Sequence, residues 1–540
     1  MLRLEHLPAD VLELSPIARA ALAGRLARPG LVLPRRSEDI EPPPAHLDAA
    51  EREELALALE RGLARLAPHV AVLDAVRTLR EPRAVALVTG QQPGLCGSPL
   101  YSLYKALHAI RLARRLTEAW ERPVVPLFWN HADDHDVAEV HHLHVLNKNL
   151  DLQKVGLAGM SSGRQMVSRI VLDEERQRLG AIRALLSDLV RDTPHGARML
   201  DALVPRHGES LARAFTRSFT ELLGPLGLVV LEPDWIRTSM TRALGSILER
   251  DPLEHLRAGS AALRARGFEP AIDPEQAALL FAIDARGRRA LRPGGEGWKY
   301  DDEDGSRTTT ELLAEFVQDP NAWSPGALLR PLVQDLCLPV AAYVGGAGEL
   351  AYHAQLAELR LAAGVPATPF VQRVSITLTD PEARLALGKV DATVAAVLRA
   401  RGEFALAESQ EPPPAVLARL RELGERSAKE LGALREELGL LDPSLPVLAR
   451  RTMDQVKGSI ETLAEKAERV HQNRSGKGKR HERRLNNALF PRGEPQERVL
   501  GPLVPLARFG YAWLAELASQ IDPIPTEHVV VHLGDDLPTE

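Results

Sequence analysis

Two apolar segments in the first quarter of the chain each end in a loop rich in functional groups. Residues 84–89 lead into the glycine-rich loop 90–97, and residues 124–129 lead into the charged loop 130–136. An amphipathic segment of helical length lies between them, which is typical of the right-handed crossover of a βαβ unit. Both loops should therefore leave the same carboxyl edge of a parallel sheet, where open α/β proteins bind ligands.

The glycine-rich loop is expected to bring an anion to the start of the helix that follows it. The pocket residues in this interpretation are Gly90, Gln91, Gln92 and Gly94. A tight turn between strand and helix would explain the same glycines without a ligand. Lys105 could neutralise a phosphate, although a solvated lysine is the simpler expectation. Cys96 is expected to be a small buried side chain, because no positioned histidine base accompanies it.

The charged loop places three carboxylates and an imidazole within residues 133–136. Crowded carboxylates repel one another unless they are solvated, metal-bound or hydrogen-bonded, so their clustering at a strand end predicts a functional site. Asp134, His135 and Asp136 are the predicted catalytic residues, as acid–base groups or as contacts to a substrate amine. His131 and His135, four residues apart, also leave a metal site open, although the spacing after His135 is irregular.

The pattern of strand, glycine turn and helix recurs at residues 338–361. Gly345, Gly346 and Glu349 are predicted to form a second ligand-binding turn, although Glu349 could simply favour the helix dipole. Arg330, a few residues earlier, could reach a substrate carboxylate or be an ordinary surface cation.

Composition narrows the class of protein. The chain has 540 residues, more than the roughly 250–300 that one core accommodates, so it should form two or three domains. A net charge of −6 and an aromatic content of 4% argue against nucleic acid as a partner. The two cysteines, Cys96 and Cys337, form no disulfide framework. Without a signal peptide or a long apolar run, we expect a cytoplasmic protein that does not bind membranes.

Residues 415–475 predict an antiparallel coiled-coil hairpin. Apolar or small residues recur every seven positions, with a second series three residues later; the two series are Leu417, Gly424, Leu431, Leu438 and Leu420, Ser427, Leu434, Leu441. The segment 442–446 contains two prolines and should separate the two helices. Two amphipathic helices packed on a core are the alternative. Val416, Leu423 and Leu440 widen the apolar stripe, and we therefore expect a homodimer joined through residues 415–475.

The remaining segments complete the predicted organisation. Residues 1–80 should be mostly helical, a third strand should cover 228–231, and insertions should cover about 146–215 and 252–325. A helix is expected near 505–517, with a strand at 528–533. The predicted domains are a core over 1–375, a helical coiled-coil domain over 376–488, and a C-terminal segment over 489–540 that returns to the core.

Aromatic and guanidinium groups occur together near the end of the chain. Phe490, Arg498 and Tyr511 could hold an adenine and its phosphates, although an irregular stretch where the hairpin rejoins the core would also explain them. The basic run 477–484 is expected to be a solvated face.

Taken together, these motifs resemble the BshC family of bacillithiol biosynthesis. The segments that carry the resemblance occur in order between about residues 80 and 540; they are 89–95, 99–105, 126–129, 133–136, 329–335, 342–349, 489–493 and 496–498. Ala132, Asp133 and Gly326 differ from the residues usual in that family, which are Gly, Glu and Asn. Residues 130–131 likewise replace a more apolar pair.

The resemblance implies an α/β fold with a Rossmann-like parallel sheet related to nucleotidyl transferases and class I synthetases. It also implies helical insertions and a coiled coil that mediates dimerisation. The implied reaction adds cysteine to the glucosamine amine of glucosaminyl-malate, the last step of bacillithiol biosynthesis, and Tyr101 would then be a substrate-binding residue. Amide formation from a free carboxylate is uphill in water, so we expect ATP, released as ADP or AMP, to activate the carboxyl group.

Two other functions fit the residues alone. One is a metal-dependent hydrolase that uses residues 133–136. The other is a non-catalytic, nucleotide-binding adaptor that presents its coiled coil to a partner.

Overall fold

A computed structural model describes residues 2–160, 164–294, 297–301, 306–406, 415–442 and 444–534. The chain forms two compact units, one of Met1–Pro381 with Glu494–Glu540 and one of Glu382–Gly493. The sequence analysis places the corresponding boundaries after residues 375 and 488, a few residues earlier in each case.

The strands follow one another along the whole chain. In order they are β1 (Arg3–Pro8), β2 (Val85–Gln91), β3 (Val124–Asn130), β4 (His142–Leu146), β5 (Leu152–Gly156), β6 (Val229–Leu231), β7 (Leu280–Asp284), β8 (Gly287–Gly294), β9 (Gly297–Tyr300), β10 (Ser306–Arg307), β11 (Trp323–Pro325), β12 (Val340–Gly345), β13 (Phe370–Gln372), β14 (Ser375–Thr379) and β15 (Glu527–His532).

The α-helices are interspersed with these strands. They are α1 (Pro16–Leu22), α2 (Ala49–Leu63), α3 (Val70–Thr78), α4 (Leu100–Trp120), α5 (Val137–Val140), α6 (Glu174–Gln177), α7 (Leu179–Val190), α8 (Gly196–Leu203), α9 (Leu211–Leu223), α10 (Arg237–Leu248), α11 (Pro252–Arg264), α12 (Thr309–Gln318), α13 (Arg330–Cys337), α14 (Ala347–Gln355), α15 (Ala357–Ala363), α16 (Pro381–Lys389), α17 (Val394–Arg399), α18 (Ala415–Ala433), α19 (Arg435–Leu441), α20 (Leu445–Leu489), α21 (Gln496–Val499), α22 (Leu503–Phe509) and α23 (Ala512–Gln520).

A five-stranded parallel sheet organises the first unit, in the order β13-β12-β2-β3-β6. β3 and β6 follow β2 in the chain and lie on one side of it in the sheet. β12 and β13, which come later in the chain, lie on the other side of β2. The strand order therefore reverses between β2 and β12. Ligands of doubly wound sheets bind at the carboxyl edge of the sheet at such a reversal. The α/β, Rossmann-like fold is thus confirmed.

Both faces of this sheet are buried, which explains why its strands are apolar throughout rather than alternating. On β3, Leu127 and Trp129 pack into one core cluster, and Phe128 packs into the other. Phe128 lies against Phe215 and Phe219 of α9, with ring centroids 5.5 and 5.0 Å apart. The helices of the unit cover the sheet on both sides.

Several expectations about local structure are corrected. Residues 1–80 do not begin with a helix, because β1 pairs with β15 at the other end of the chain. β13 is a central-sheet strand that was not predicted. The insertion 252–325 mixes helices with short strands, as its sequence indicates, and these strands form an antiparallel sheet of order β10-β9-β8-β7-β11. The helix expected near 505–517 is two helices, α22 and α23, separated at Gly510, whose φ is +68°.

The second unit contains the predicted helical hairpin. α18 packs along α20, and Pro446 lies in the first turn of α20, after the break that follows Leu441. The helices approach closely at Gly424, where an added Cβ would lie 3.3 Å from Ile460 Cγ2. The close approach explains why a glycine is suited to a heptad position at this point.

The hairpin also departs from its prediction. Leu434 and Leu441 were assigned to the seam between the helices, yet their exposed fractions are 48% and 78%. α20 continues to Leu489, so the basic run 477–484 lies within the helix rather than after it. The side chains of residues 468–477, which include the end of the segment predicted to form the hairpin, lie outside the described residues.

Candidate active site

A buried lysine joins the two glycine turns at the point where the strand order reverses. Lys105 extends from α4 and donates hydrogen bonds to Gly90 O at 2.8 Å, Gln91 Oε1 at 3.0 Å and Glu349 Oε2 at 2.5 Å. Its ammonium therefore has three acceptors, one for each proton. Gly90 and Gln91 end β2, whereas Glu349 belongs to the helix after β12.

Glu349 is the acceptor at the centre of this junction. Besides Lys105, it accepts hydrogen bonds from Tyr343 Oη at 2.5 Å and from the Gly346 amide at 2.8 Å. The carboxylate thus caps α14 and fixes the turn after β12. It also ties that turn to β2, so Glu349 does more than favour the helix dipole.

The expectation of a solvated Lys105 is wrong. The residue is 1% exposed. Burial lowers the pKa of Lys105, while the charge of Glu349 and its hydrogen bond act in the opposite direction. Because the ammonium is held by protein acceptors, Lys105 joins the two turns instead of contacting solvent.

Protein acceptors also occupy the start of α4. The Gly94 amide donates to Ser98 Oγ at 2.6 Å, and the Leu100 amide donates to Leu500 O at 2.9 Å. These contacts give two of the amides at this helix start protein acceptors instead of an anion. Gly90 is a glycine for a steric reason, since an added Cβ would lie 2.6 Å from Trp129 O.

Cys96, in the same turn, is buried as expected. Burial raises the pKa of its thiol to about 12, so the thiol stays protonated at neutral pH.

The charged loop after β3 is anchored by its first carboxylate. Asp133 is buried and accepts two hydrogen bonds from the Arg237 guanidinium, at 2.6 and 2.5 Å. Burial alone would raise the pKa of Asp133, but the charge and hydrogen bonds of Arg237 outweigh it and hold the pKa below its usual value. Asp133 is therefore a structural anion, which leaves the next two residues free to project from the loop.

Asp134 is oriented by a residue of the glycine-rich loop. Gln92 Nε2 donates to Asp134 Oδ2 at 2.6 Å, and the His135 amide donates to Oδ1 at 2.8 Å. Burial would raise the pKa of Asp134, but the positive charges of Arg330 and Arg288 lower it well below its usual value. Asp134 is consequently ionised, and the structure brings the predicted residues Gln92 and Asp134 into direct contact.

His135 presents an unpartnered ring nitrogen beside this carboxylate. Its Nδ1 is buried, has no hydrogen-bond partner among the described residues, and lies 3.8 Å from Asp134 Oδ1. Burial, with a contribution from Arg288, lowers the pKa of His135. The imidazole is therefore neutral at pH 7, and its Nδ1 is a buried nitrogen without a hydrogen-bond partner among the described residues.

The third predicted catalytic residue has a different place. Asp136 Oδ1 accepts a hydrogen bond from the Ala138 amide at 3.1 Å and caps the short helix α5. Its side chain is exposed. Asp136 acts on His135 through its charge, which raises the pKa of the imidazole.

Two arginines complete the electrostatics of the site. Arg330, at the start of α13, is half-buried, and its side chain makes no hydrogen bond or ion pair with the residues that the structure describes. Arg288 of β8 is buried and donates to Ser324 Oγ at 3.0 Å and to Pro325 O at 2.7 Å. Burial lowers the pKa of Arg288 to about 10, which leaves it charged at neutral pH.

The sequence analysis missed Arg288 because it lies in an insertion with no motif. A basic residue in an insertion does not by itself indicate a functional site. In the structure, β8 pairs with β7, and this pairing places the Arg288 guanidinium 3.7 Å from the centroid of the Phe281 ring.

A second buried ion pair lies behind the turn after β12. Arg373 donates to Glu497 Oε1 at 2.6 Å, and its guanidinium lies 5.5 Å from the centroid of the Tyr101 ring. Burial raises the pKa of the Tyr101 hydroxyl to about 12, so this hydroxyl is neutral and able to donate a hydrogen bond. Gly345 is tightly packed here, because an added Cβ would lie 2.6 Å from Phe370 Cζ.

The three residues predicted to hold a nucleotide have separate surroundings. Arg498 lines a cavity of about 120 Å³ together with Gly346 and Ala347. Tyr511 does not line this cavity; its ring is covered by the Arg198 guanidinium, 4.4 Å from the centroid. Phe490 is a buried residue at the end of α20, in the second unit. The structure therefore places Arg498 beside a predicted glycine turn and gives the Tyr511 ring a protein partner.

The charged loop does not have the arrangement of a metal centre. Among the residues that the structure describes, no three His, Cys, Asp or Glu side chains are placed to hold a metal ion. Asp133 is instead bound by Arg237, and His131 Nε2 would lie 2.8 Å from a Cβ added to Gly90.

Two unusual residues noted in the sequence have local explanations. A Cβ at Gly326 would lie 1.9 Å from Ala278 O, so no larger residue fits there in this conformation. Asn130 Nδ2 donates to Thr216 Oγ1 at 2.9 Å and to Ala212 O at 3.2 Å, which fixes the start of the charged loop to α9.

The anchoring role of Asp133 can be measured with a double-mutant cycle. We expect Asp133→Asn and Arg237→Met to be strongly coupled, with a coupling free energy of about 3 kcal/mol. Loss of Arg237 leaves the buried Asp133 carboxylate unpaired, and loss of Asp133 leaves the buried Arg237 with the partly exposed Asp234 alone. Urea denaturation of the two single variants and the double variant gives this quantity.

The exposed pair of Arg257 and Glu275 serves as the control, since its side chains are half in solvent. We expect its cycle to show much weaker coupling. Equal coupling in the two cycles would contradict the proposed anchor.

Comparisons with known proteins agree with this fold and these motifs. A family model described as "Bacillithiol biosynthesis BshC, N-terminal Rossmann-like domain" matches residues 37–374. A second, described as the C-terminal coiled-coil domain of BshC, matches residues 376–533. The helices α18 to α20 lie within the second matched region.

Curated relatives match over most of their length and carry the printed name "Putative cysteine ligase BshC". The relative from Koribacter versatilis is 30% identical over 89% of this chain and 90% of its own length. The relative from Geobacillus thermodenitrificans is 28% identical over 89% of this chain and 91% of its own. Because both family models match and the similarity extends along nearly the whole sequence, the chain belongs to the BshC family of bacillithiol biosynthesis.

Proposed function

We propose that this protein is a ligase that joins the carboxyl group of cysteine to the amine of glucosaminyl-malate. One observation carries the proposal: a neutral His135 with a free Nδ1 lies beside the ionised Asp134, in a site that also holds the uncommitted guanidinium of Arg330. Amide formation needs a base for the amine and a cation for a carboxyl group, and these residues supply both.

Asp134 and His135 act on the amine of the acceptor substrate. An amino sugar is largely protonated near neutral pH, and the Asp134 carboxylate is suited to bind and orient it. The bound ammonium first loses one proton to solvent, which gives the neutral amine the lone pair that attacks the carbonyl carbon. His135 Nδ1 accepts the second proton, which the nitrogen loses as it forms the new C–N bond. The bond between the carbonyl carbon and its leaving oxygen then breaks, and the electron pair leaves with that oxygen.

Arg330 binds the carboxyl group of cysteine. A half-buried guanidinium without a protein partner can bind a carboxylate through two parallel hydrogen bonds. Arg288 lies 3.9 Å from Asp134 Oδ1 and adds positive charge to the same side of the site. These two cations stabilise negative charge that develops on the carbonyl oxygen during attack.

ATP would supply the free energy that activates the carboxyl group. The groups we propose for its phosphates are the Ala347 amide at the start of α14 and Arg498, which line the cavity of about 120 Å³. Glu13 and Glu527 also line this cavity and would have to be offset by its arginines. The volume suits a phosphate group rather than a whole nucleotide, so this assignment concerns the phosphates and leaves the adenine unassigned.

A direct assay tests the function and the base together. With glucosaminyl-malate, cysteine and ATP, mass spectrometry should detect the ligated thiol product. His135→Gln should lower kcat by about 100-fold or more, because the amine loses its proton acceptor. His46→Gln, at an exposed histidine, is the matched control and should retain full activity.

Nucleotide binding without product, under conditions where an active relative forms product, would contradict the proposal and favour the adaptor function. Equal activity of the His135 and His46 variants would contradict the role of His135.

The charge of Asp136 predicts a shift in pH dependence. Its carboxylate raises the pKa of His135, so Asp136→Asn should lower that pKa and move the acid limb of the kcat–pH profile to lower pH. Asparagine also caps helices, so α5 should be retained. Asp188→Asn, at an exposed site on α7, should leave the limb unchanged. A limb that stays in place or moves to higher pH in the Asp136 variant would contradict this account.

We further propose that the protein is a homodimer joined through the hairpin of residues 415–475. Apolar side chains remain exposed there in the single chain; Leu440 is 88% and Val416 55% exposed, and the seam residue Leu441 is 78% exposed. Burying such residues against a second hairpin would remove apolar area from water.

Light scattering on Leu440→Glu/Leu441→Glu should give the mass of a monomer, because two charges would be buried at the contact. Val317→Glu is the control, since Val317 is 84% exposed and lies in the first unit. A monomeric wild-type protein, or a double variant that remains dimeric, would contradict the assignment.

A further inference from the structure

A cavity lined by arginines lies in the first unit, next to the candidate active site. Its volume is about 590 Å³, and the described residues that line it are 159–160, 164–165, 169–171 and 176–177, together with 284–287 at the turn between β7 and β8. The charged side chains that line it are Arg164, Arg169, Arg176, Arg286 and Asp284.

Positive side chains outnumber negative ones among the described residues that line this cavity. Asp284 is the one carboxylate among the lining residues, and its Oδ2 already accepts hydrogen bonds from Arg286 at 3.2 Å and from Arg289 at 3.3 Å. Arg169 and Arg176 make no side-chain hydrogen bond or ion pair with the described residues. Like charges that share a cavity repel one another, and a bound anion of more than one charge would relieve that repulsion.

The walls of the cavity are hydrogen-bonded to the charged loop of the active site. The Val167 amide donates to Asp134 O at 2.9 Å, and the Ser168 amide donates to Ala132 O at 3.0 Å. These two bonds hold the segment with Arg164 and Arg169 against the loop that carries Asp134 and His135. The segment that carries two of the lining arginines is therefore fixed to the loop of Asp134 and His135 by backbone hydrogen bonds.

The turn between β7 and β8 makes a second connection. The Arg288 amide donates to Arg164 O at 2.7 Å, and Arg288 itself reaches Asp134. Gly287 has a φ of +106°, and an added Cβ would lie 2.5 Å from Arg164 O. The close packing at Gly287 fixes one wall of the arginine cavity to the strand that supplies Arg288 to the active site.

We infer that this cavity is an outer subsite that binds a small anion carrying at least two negative charges, as a dicarboxylate or a phosphate. Arginine pairs bind both groups through parallel hydrogen bonds. If the proposed function holds, the malate end of the acceptor supplies the dicarboxylate. Anion binding itself does not depend on that function.

Calorimetric titration of the full-length protein with malate, pyrophosphate and acetate, at low ionic strength, tests the inference. Malate or pyrophosphate should bind and acetate should bind at least tenfold more weakly. The tighter of the first two identifies the source of the anion. Arg169→Gln/Arg176→Gln should weaken binding of that dianion at least tenfold, and Arg191→Gln, at an exposed arginine of α7's end, should not.

Arg330→Gln separates this cavity from the carboxylate site of the proposed function. This variant should bind the dianion with an affinity within twofold of that of the wild type. The inference is overturned if neither dianion binds, if the double variant binds as the wild type does, or if Arg330→Gln causes the loss instead. No reaction is measured, so a failure of the ligase assay leaves the result of this titration fully interpretable.

Discussion

The buried ammonium of Lys105 is the interaction on which the arrangement of the site depends. It joins Gly90 and Gln91 after β2 to Glu349 after β12, across the point where the strand order reverses. An unpaired charge at that depth would be costly, commonly by about 3–5 kcal/mol, so the three acceptors and the lysine hold one another in place. The two glycine turns are consequently parts of one structure, and the crevice between them has fixed walls.

A second buried pair determines which carboxylate is available for chemistry. Arg237 binds Asp133, and this leaves Asp134 to be oriented by Gln92 and surrounded by the charges of Arg288 and Arg330. Three neighbouring residues thus have three environments: Asp133 anchors the loop, Asp134 is ionised between two arginines, and His135, the proposed base, has a lowered pKa. The repulsion expected among crowded carboxylates is resolved by arginines from distant parts of the chain.

The sequence predicts those features whose determinants are local. Apolar runs followed by glycine turns give β2, β3 and β12, and heptads with a proline break give the hairpin. Features that depend on distant partners were missed: β1 pairs with β15, Lys105 is buried by Glu349, and Arg288 reaches the site from an insertion. The exposed Leu434 and Leu441 show the same limit, because a heptad pattern does not tell whether its partner is the same chain or another one.

Transfer of an oxygen isotope tests the central claim, that this site activates a carboxylate and joins it to an amine. Cysteine labelled with ¹⁸O in both carboxyl oxygens would be incubated with ATP and glucosaminyl-malate, and the products analysed by mass spectrometry. Activation of the carboxyl group predicts one ¹⁸O in the AMP or phosphate released and one in the new amide, since the leaving oxygen comes from cysteine. A ligated product formed without ¹⁸O in any phosphorus-containing product would contradict the account.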